Sequence, residues 1–485
     1  MPSSPAARRR RSPLVGGLLV VGLALTGCSS SGNGSEVSPT PSVAPTAVAL
    51  PGGTVGKAAA WVLEVLNADA SPDAATLDRR FARSFLDQVP AAQLVPVLDQ
   101  LRADREWVPV SVDVVDAGEK QAALTIVGAS GQFFTMQIGV DADSRIETLF
   151  FGPGDDPHRD PAASWDELGE RLDAVDAQSS LLVAQVLDNG TCQAVEEVPG
   201  GSDPDEVLPL GSIFKLYVLG AVSQAVEAGT LTWDDELTVT DDVRSLPSGQ
   251  LQDAPTGTAV TVREAAELMI SISDNTATDL LVQAVGRDAV ERAQATLGHA
   301  DPSLNTPFLT TRDAFAIAWG SPSQATGWAA ADTAGRRAML DALPGGPLAV
   351  DPAGVTTPVW QDDVDWFATS SDLCAAHVWL HDRGEQDPVV REVLSVNPGI
   401  EVDAKAWPYV AFKGGSAPGV LAGSWLAEDA AGDTYVVTVQ LAATDPAVLA
   451  NPMVLVDTAE SAFALLGGAA GSKEGELREA PGDRG

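Results

Sequence analysis

The sequence predicts an α+β protein with two folded domains: a small α+β cone, then a larger domain with an antiparallel sheet flanked by helices. Between residues 55 and 154, helical periodicity comes first and extended segments follow. Between residues 162 and 468, extended segments lie near both ends and helical segments fill the middle. A length of 485 residues also exceeds one typical domain. The predicted domains are residues 55–155 and 160–468.

The N-terminus has the features of an export signal. Four arginines at 8–11 precede an apolar run, residues 14–25, that is too short to span a bilayer as a helix. The segment Leu25-Thr26-Gly27-Cys28 resembles a bacterial lipobox, a family in which the cysteine is acylated after cleavage. This resemblance implies a signal peptide over 1–27, a lipid anchor on Cys28 and a location at the outer face of the bacterial cytoplasmic membrane.

Two flanking segments are predicted to be disordered. Residues 28–54 are rich in Ser, Gly, Pro and Thr, and residues 469–485 are polar and contain glycine. Neither segment has enough apolar surface to bury, so we expect a tether and a frayed tail.

Cysteine usage is sparse. Without Cys28, two cysteines remain, Cys192 and Cys374. An exported chain meets an oxidising compartment, which permits a disulfide, but the sequence leaves open whether these two side chains meet.

Composition and motifs exclude several classes of function. The formal net charge of -38 argues against binding to nucleic acid or to an anionic membrane face through a basic patch. The chain has neither a G-x-S-x-G elbow nor an H-E-x-x-H motif. His377 and His381 share a helical face without an evident third ligand, so a solvated or partly buried pair is expected there. No metal or organic cofactor is implied.

The first domain is predicted to begin with helices over 57–67 and 77–86. Four strands are predicted to follow, at 108–115, 122–128, 133–140 and 146–151. This arrangement resembles the nuclear-transport-factor-2 (NTF2) or ketosteroid-isomerase fold, and we expect it to act as a scaffold without chemistry.

The second domain is predicted to begin with a helix over 165–178 and a strand over 181–187. Asn189-Gly190 then predicts a hairpin turn before a strand that starts at Cys192. The later elements are predicted strands near 409–413, 420–426 and 435–442 and a closing helix over 452–466.

Lysine is scarce, and its placement points to proton transfer. The chain has six lysines, at 57, 120, 215, 405, 413 and 473, although arginine is plentiful. An arginine stays charged in a protein, whereas a buried lysine can lose its proton and act as a base. Lys215 and Lys413 belong to an ordered set of three motifs.

The first motif is Ser212-Ile213-Phe214-Lys215. Ser212 opens an apolar run to Ala228, which predicts a helix N-terminus, and the three-residue spacing places Lys215 on the same face. A serine hydroxyl needs a base to become a good nucleophile, and a neutral Lys215 would supply that base.

The second motif is Ser273-Asp274-Asn275, at a junction between two predicted helices. The Ser273 hydroxyl can relay a proton between the nucleophile, the lysine and a leaving nitrogen. The Asn275 amide can bind a substrate carbonyl.

The third motif is Lys413-Gly414-Gly415-Ser416, at the end of a predicted strand. The Lys413 ammonium can bind a substrate carboxylate and tune the relay, and Gly415 lets the backbone approach a ligand closely. The backbone N–H groups of Ser416 and Ser212 can donate to an oxyanion.

In this order, on helix, loop and strand, the three motifs resemble the serine β-lactamase and penicillin-binding-protein superfamily, in particular class A β-lactamase-like hydrolases. The resemblance implies that Ser212 is acylated, Lys215 assists as base, Ser273 relays protons and Lys413 lines one wall of the site. It implies a small-molecule β-lactam, ester or peptidoglycan-like substrate and no cofactor.

Together with the isomerase-like first domain, the chain resembles the serine hydrolases found beside clavam biosynthesis in actinobacteria and related exported lipoproteins. That group is associated with esterase activity on β-lactam-type compounds. Two alternatives stay open: a D-Ala-D-Ala carboxypeptidase or esterase, and a slowly acylating penicillin-recognising or cell-wall-binding lipoprotein without turnover.

The chain departs from the family pattern at two places. The K-T-G or K-S-G sequence becomes Lys413-Gly414-Gly415, which lacks a hydroxyl. The E-x-x-L-N loop of class A enzymes has its nearest counterpart in residues 301–305, where the candidate deacylation carboxylate is Asp301, one methylene shorter than glutamate. Such a misplacement can cost about a hundredfold in rate. A simple Asp-Pro turn is the other interpretation of Asp301.

Overall fold

A computed structural model of the chain describes residues 47–114, 120–154, 156–157, 159–195 and 203–476. Within it the chain divides into two compact units between Arg159 and Asp160. The predicted α+β class is confirmed, since the larger unit packs helices against an antiparallel sheet. The predicted signal peptide and Cys28 lie outside the described residues.

The N-terminal unit packs four helices against a four-stranded antiparallel sheet. The helices are Gly53–Asn67, Ala74–Arg80, Arg83–Leu86 and Ala91–Arg102. The strands follow one another in space as in sequence: Val108–Val114, Gln121–Val127, Phe133–Val140 and Ile146–Pro153. Alternate side chains of the sheet are buried against the first helix, which explains the predicted periodicities.

Two features of this unit differ from the sequence-based prediction. The helix expected over 77–86 is broken, because Phe81 pairs with Ile146 and the Ala82 N–H donates to the Ile146 carbonyl. The helix Ala91–Arg102 was not predicted, and it contains Pro96, a residue that weakens a helical pattern.

The C-terminal unit is built on a five-stranded antiparallel sheet that joins both ends of its sequence. In spatial order the strands are Tyr409–Ala417, Val420–Glu428, Thr434–Ala442, Gln178–Val186 and Cys192–Ala194. Two short ribbons accompany it: Leu208–Pro209 with Phe367–Ala368, and Glu236–Thr238 with Ala259–Thr261. Tyr409–Ala417 is an edge strand of this sheet: it pairs with Val420–Glu428 on one side, and its other edge is open to contact with another part of the unit.

Helices cover both faces of this sheet. The helices of the C-terminal unit are Trp165–Asp173, Lys215–Glu227, Val262–Ser271, Asn275–Val285, Arg287–Thr296, Thr311–Trp319, Ala325–Ala330, Thr333–Asp341, Ser370–Gln386, Pro388–Leu394 and Met453–Glu476. One face of the sheet packs on the helices Trp165–Asp173 and Met453–Glu476. The other face packs on Lys215–Glu227 and the helices around it. Residues 215–223 are all buried, so the first part of the helix Lys215–Glu227 lies inside the core. No helix among the described residues is long and apolar enough to cross a membrane.

Cys192 and Cys374 form a disulfide, which the sequence had left open. It ties the edge strand Cys192–Ala194 to the helix Ser370–Gln386, across 182 positions of sequence. Closing so long a loop restricts the unfolded chain and stabilises the unit in the chain-entropy model.

Candidate active site

Ser212 lies in a tight turn at the start of the buried helix. The turn Gly211–Phe214 is a 3-10 helix that leads directly into Lys215–Glu227. Gly211 has a φ of 49°, a left-handed conformation that glycine adopts without a steric penalty. The predicted helix N-terminus at Ser212 thus corresponds to a sharp turn, which holds the half-buried serine at the surface of the core.

Gly415 allows the edge strand to lie against this turn. A Cβ atom at Gly415 would come within 2.0 Å of the Leu210 carbonyl oxygen and 2.8 Å of the Ser212 nitrogen. Both are backbone atoms and cannot move aside. Gly415 therefore fits because of its contact with the chain itself, in addition to the predicted approach of a ligand.

The Ser416 amide nitrogen lies beside the same turn. A Cβ atom at Gly211 would come within 2.7 Å of it. The backbone nitrogens of Ser212 and Ser416 therefore belong to two segments in close contact, as an oxyanion site built from both N–H groups requires.

Ser273 sits between the two lysines of the motifs. Its Oγ lies 3.0 Å from Lys215 Nζ and 3.0 Å from Lys413 Nζ. The residue has a φ of 57°, a strained conformation for a side chain other than glycine, and such strain is typical of functional sites. The turn thereby directs one hydroxyl towards both ammonium groups.

The neighbouring Asp274 carboxylate holds this turn in place. Its Oδ1 accepts from the Ala277 N–H at 2.8 Å and caps the helix Asn275–Val285. Its Oδ2 accepts from the N–H groups of Gln250 and Leu251 at 2.7 and 2.9 Å. Three backbone donors satisfy a fully buried carboxylate, which offsets the cost of burying it.

Lys215 is completely buried and its nitrogen makes three hydrogen bonds. It donates to the Ser273 carbonyl at 2.7 Å, to Ser273 Oγ at 3.0 Å and to Asn275 Oδ1 at 2.7 Å. Burial, and then the charge of Lys413, lower the pKa of Lys215 well below its usual value. The shift is in the direction that a base requires, towards the neutral amine.

Lys413 is also buried, at 2% exposure. Its Nζ donates to Ser273 Oγ at 3.0 Å and to the Gly414 carbonyl at 2.7 Å. Burial lowers the pKa of Lys413 to about 7. Near neutral pH the group is divided between its charged and neutral forms.

Asn275 has a structural role in addition to its predicted role as a substrate ligand. Its Oδ1 accepts from Lys215, and its Nδ2 donates to the Leu246 carbonyl at 3.1 Å. The amide therefore first positions the lysine, and one N–H of the amide remains for a substrate carbonyl.

Two cavities adjoin Ser212. The apolar cavity, of about 200 Å³, is lined by Ser212, Asn275 and a wall of Phe214, Phe315, Trp319, Val355, Val364, Trp366 and Pro418. The lysine cavity, of about 430 Å³, is lined by Ser212, Ser273, Asn275 and Lys413. The predicted motif residues are thus brought together at one place.

Asp301 lies away from the two cavities beside Ser212, so its predicted role as the deacylation carboxylate needs correction. It is exposed, and its Oδ1 accepts from the backbone N–H of Ser303 at 3.1 Å and from the hydroxyl of Ser303. It lines neither cavity. The arrangement is the Asp-Pro turn, in which the carboxylate caps the turn Pro302–Asn305.

Asp365 is a site residue that was not predicted from the sequence. This carboxylate is 7% exposed and lines the apolar cavity with Ser212. It interrupts the apolar run Val364-Asp365-Trp366-Phe367, and a charge inside such a run was the available signal.

The histidine pair lies elsewhere. Burial lowers the pKa of His377 to about 4. His381 is partly buried and shares a cluster with Glu385 and Glu428, whose ligand-type atoms lie within 4.8 Å of one another. Arg391 pairs with both carboxylates, at 3.1 and 2.8 Å, so a guanidinium supplies the cation there.

Two glycine substitutions test the packing of the Ser212 turn. We predict that Gly415→Ala lowers the free energy of unfolding by about 3 kcal/mol, because its methyl group meets the Leu210 carbonyl. Gly414→Ala is the matched control: its Cβ would meet only the movable Phe412 ring, at 2.8 Å, so a loss under about 1 kcal/mol is expected. Urea denaturation of both variants measures the difference, and equal losses would contradict this packing.

The lowered pKa of Lys413 predicts a pH dependence of stability. Between pH 7 and 10.5 the unfolded chain binds more protons at this lysine than the folded chain does, so the free energy of unfolding rises with pH. Lys413→Met removes this contribution. We expect a smaller rise between pH 7 and 10 in the variant than in the wild type, measured by urea denaturation at several pH values. Parallel curves would show that Lys413 keeps an ordinary pKa.

Comparisons with known proteins agree with the fold of the C-terminal unit. Residues 177–338 match the model of the beta-lactamase enzyme family, and residues 50–146 match the model described as ORF 12 gene product N-terminal. No curated protein matches. The second match does not test the predicted likeness to NTF2 and ketosteroid isomerase, which stays a prediction.

Several solved structures are similar to part of this chain. A β-lactamase from Sphaerobacter thermophilus DSM 20745 is 20% identical, with 62% of this chain and 95% of that chain covered and a TM-score of 0.42. PBP-A is 19% identical, with 64% and 98% covered and a TM-score of 0.40. The match over residues 177–338 shows that this part of the C-terminal unit is similar to the beta-lactamase enzyme family.

Proposed function

We propose that the C-terminal unit is a serine hydrolase that forms an acyl-enzyme on Ser212 with β-lactam or related ester and amide substrates. The observation that carries this proposal is the Ser273 hydroxyl between Lys215 and Lys413, at 3.0 Å from each, in a cavity that Ser212 also lines. Two buried lysines with lowered pKa values supply a base at neutral pH.

The reaction begins with proton removal from Ser212. A neutral Lys215 takes the Ser212 proton, and Oγ attacks the substrate carbonyl carbon. The backbone N–H groups of Ser212 and Ser416 stabilise the oxyanion. Ser273 then passes a proton from Lys215 to the leaving nitrogen or oxygen, and the bond between carbonyl carbon and leaving atom breaks.

The two cavities support a substrate with an anionic group at one end and an uncharged acyl group at the other. The lysine cavity offers Lys413 to an anionic group such as a carboxylate. The apolar cavity offers aromatic walls, including Phe315 and Trp319, to an uncharged acyl group. β-Lactams, esters and D-Ala-D-Ala peptides that carry a carboxylate all have such an anionic end and an uncharged acyl end. The two candidate activities, hydrolase and carboxypeptidase, therefore differ in the leaving group that the enzyme releases.

A slowly acylating binding protein is the second candidate, and the position of Asp301 favours it. A carboxylate at the E-x-x-L-N position would activate the deacylating water, but Asp301 is exposed and tied to Ser303. A lasting covalent adduct without turnover is the outcome that would select this candidate.

Lys215→Arg tests the lysine as the base. Arginine keeps the positive charge but cannot release its proton, so we predict a fall in acylation of at least about a hundredfold. Labelling with a fluorescent penicillin and turnover of a chromogenic cephalosporin and of simple esters measure this fall, and Ser212→Ala defines the background. Lys405→Arg, at an exposed position, is the matched control and should label at the wild-type rate. Equal labelling of Ser212→Ala and the wild type would overturn the proposed nucleophile.

We further propose that the protein is exported and anchored through Cys28. The disulfide between Cys192 and Cys374 supports this proposal, because such bonds persist in oxidising compartments.

Cys28→Ser tests the anchor. We predict that wild-type protein expressed in a bacterium incorporates labelled palmitate and sediments with membranes, since acylation needs the cysteine thiol. The variant should lose the label and leave the membrane fraction. A variant that stays with the membranes would contradict the lipid anchor.

A further inference from the structure

We propose that Asp365 activates the water that hydrolyses the acyl-enzyme on Ser212. This inference rests on the proposed acylation of Ser212 and adds the residue that completes turnover. It follows from the placement of the carboxylate, from its unpartnered oxygen and from the composition of the two cavities.

Asp365 is held directly beside the nucleophile turn. Its Oδ1 accepts from the N–H groups of Gly211 at 2.8 Å, Leu210 at 3.2 Å and Trp366 at 2.7 Å. Gly211 immediately precedes Ser212. Three backbone donors on one oxygen fix the position of the carboxylate relative to the serine.

The second oxygen of Asp365 has no protein donor. No residue in the described part of the chain donates to Oδ2, although the residue is 93% buried, with 7% exposure. Asp365 lines the apolar cavity together with Ser212 and Asn275. Because Oδ2 has no donor among the described residues and keeps some accessible surface, a water molecule in this cavity can donate to it.

The environment of Asp365 suits a base. Burial raises the pKa of this carboxyl to about 7, while the three N–H groups favour the ionised form. A carboxylate with a pKa near neutrality removes a proton from water more readily than an ordinary aspartate does.

The composition of the site leaves few other candidates. Among the described residues that line the two cavities, Asp365 is the one carboxylic acid. Lys215 directs its three hydrogen bonds to Ser273 and Asn275, which keeps it on the side of the proton relay.

The step balances as a hydrolysis. The Asp365 carboxylate takes one proton from water, and the water oxygen attacks the acyl carbonyl carbon. The bond from that carbon to Ser212 Oγ then breaks, and Oγ takes the proton that Asp365 removed from the water. The product leaves as a carboxylic acid and ionises in solvent, while Asp365 is again a carboxylate and Lys215 stays neutral.

Asp365→Asn separates this role from the support of the turn. The amide oxygen can still accept from the three N–H groups, so we expect acylation by a fluorescent penicillin to stay within about threefold of the wild type. Deacylation should slow by about a hundredfold or more, so that intact mass shows a lasting adduct where the wild type shows turnover. Asp301→Asn is the matched control and should leave both rates unchanged.

Several outcomes would overturn the proposal. Wild-type deacylation in Asp365→Asn, equal losses of acylation and deacylation, or a wild-type adduct that persists for hours would each remove the role in water activation. Absence of both an adduct and turnover in the wild type would overturn the proposed acylation of Ser212 itself. If Asp365→Asn does not fold by circular dichroism, Asp365→Ser, which keeps an oxygen acceptor, takes its place with the same expectations.

Discussion

The pair of hydrogen bonds from Lys215 and Lys413 to the Ser273 hydroxyl is the constraint on which the rest of the site depends. Two ammonium groups that share one buried acceptor repel each other, and burial penalises both charges. The pair therefore holds fewer protons at neutral pH than two surface lysines would. A base becomes available without histidine or metal, provided that the fold keeps both lysines away from water.

The surrounding structure supplies this condition at a cost in local strain. Ser273 adopts a left-handed conformation, and the Asp274 carboxylate secures that turn through three backbone N–H groups. Asn275 satisfies Lys215 from the next position. The apolar helix behind Lys215 and the close contact at Gly415 exclude solvent, so packing and chemistry depend on the same few residues.

The sequence predicted the parts of the site that depend on local spacing. The three-residue spacing of Ser212 and Lys215 indicated a nucleophile with its base, and the scarcity of lysine singled out Lys413. For Asp301 the sequence left two interpretations, because a carboxylate before proline is compatible with both a turn and a loop ligand, and the structure shows the turn. Asp365 was missed because its role arises from a contact across 154 positions, with Gly211. Contacts of that range leave no period in the sequence, which also explains the unpredicted break at Phe81.

The most direct measurement is an NMR titration of the lysine side chains. The chain has six lysines, so ¹³Cε-labelled lysine gives a spectrum simple enough to assign with Lys215→Met and Lys413→Met. The shared Ser273 hydroxyl and the burial of both groups predict that the Lys413 signal titrates with a pKa of about 7 and that the Lys215 signal titrates well below its usual range. Titration of both signals near about 10.4, the value of an unperturbed lysine, would contradict the account.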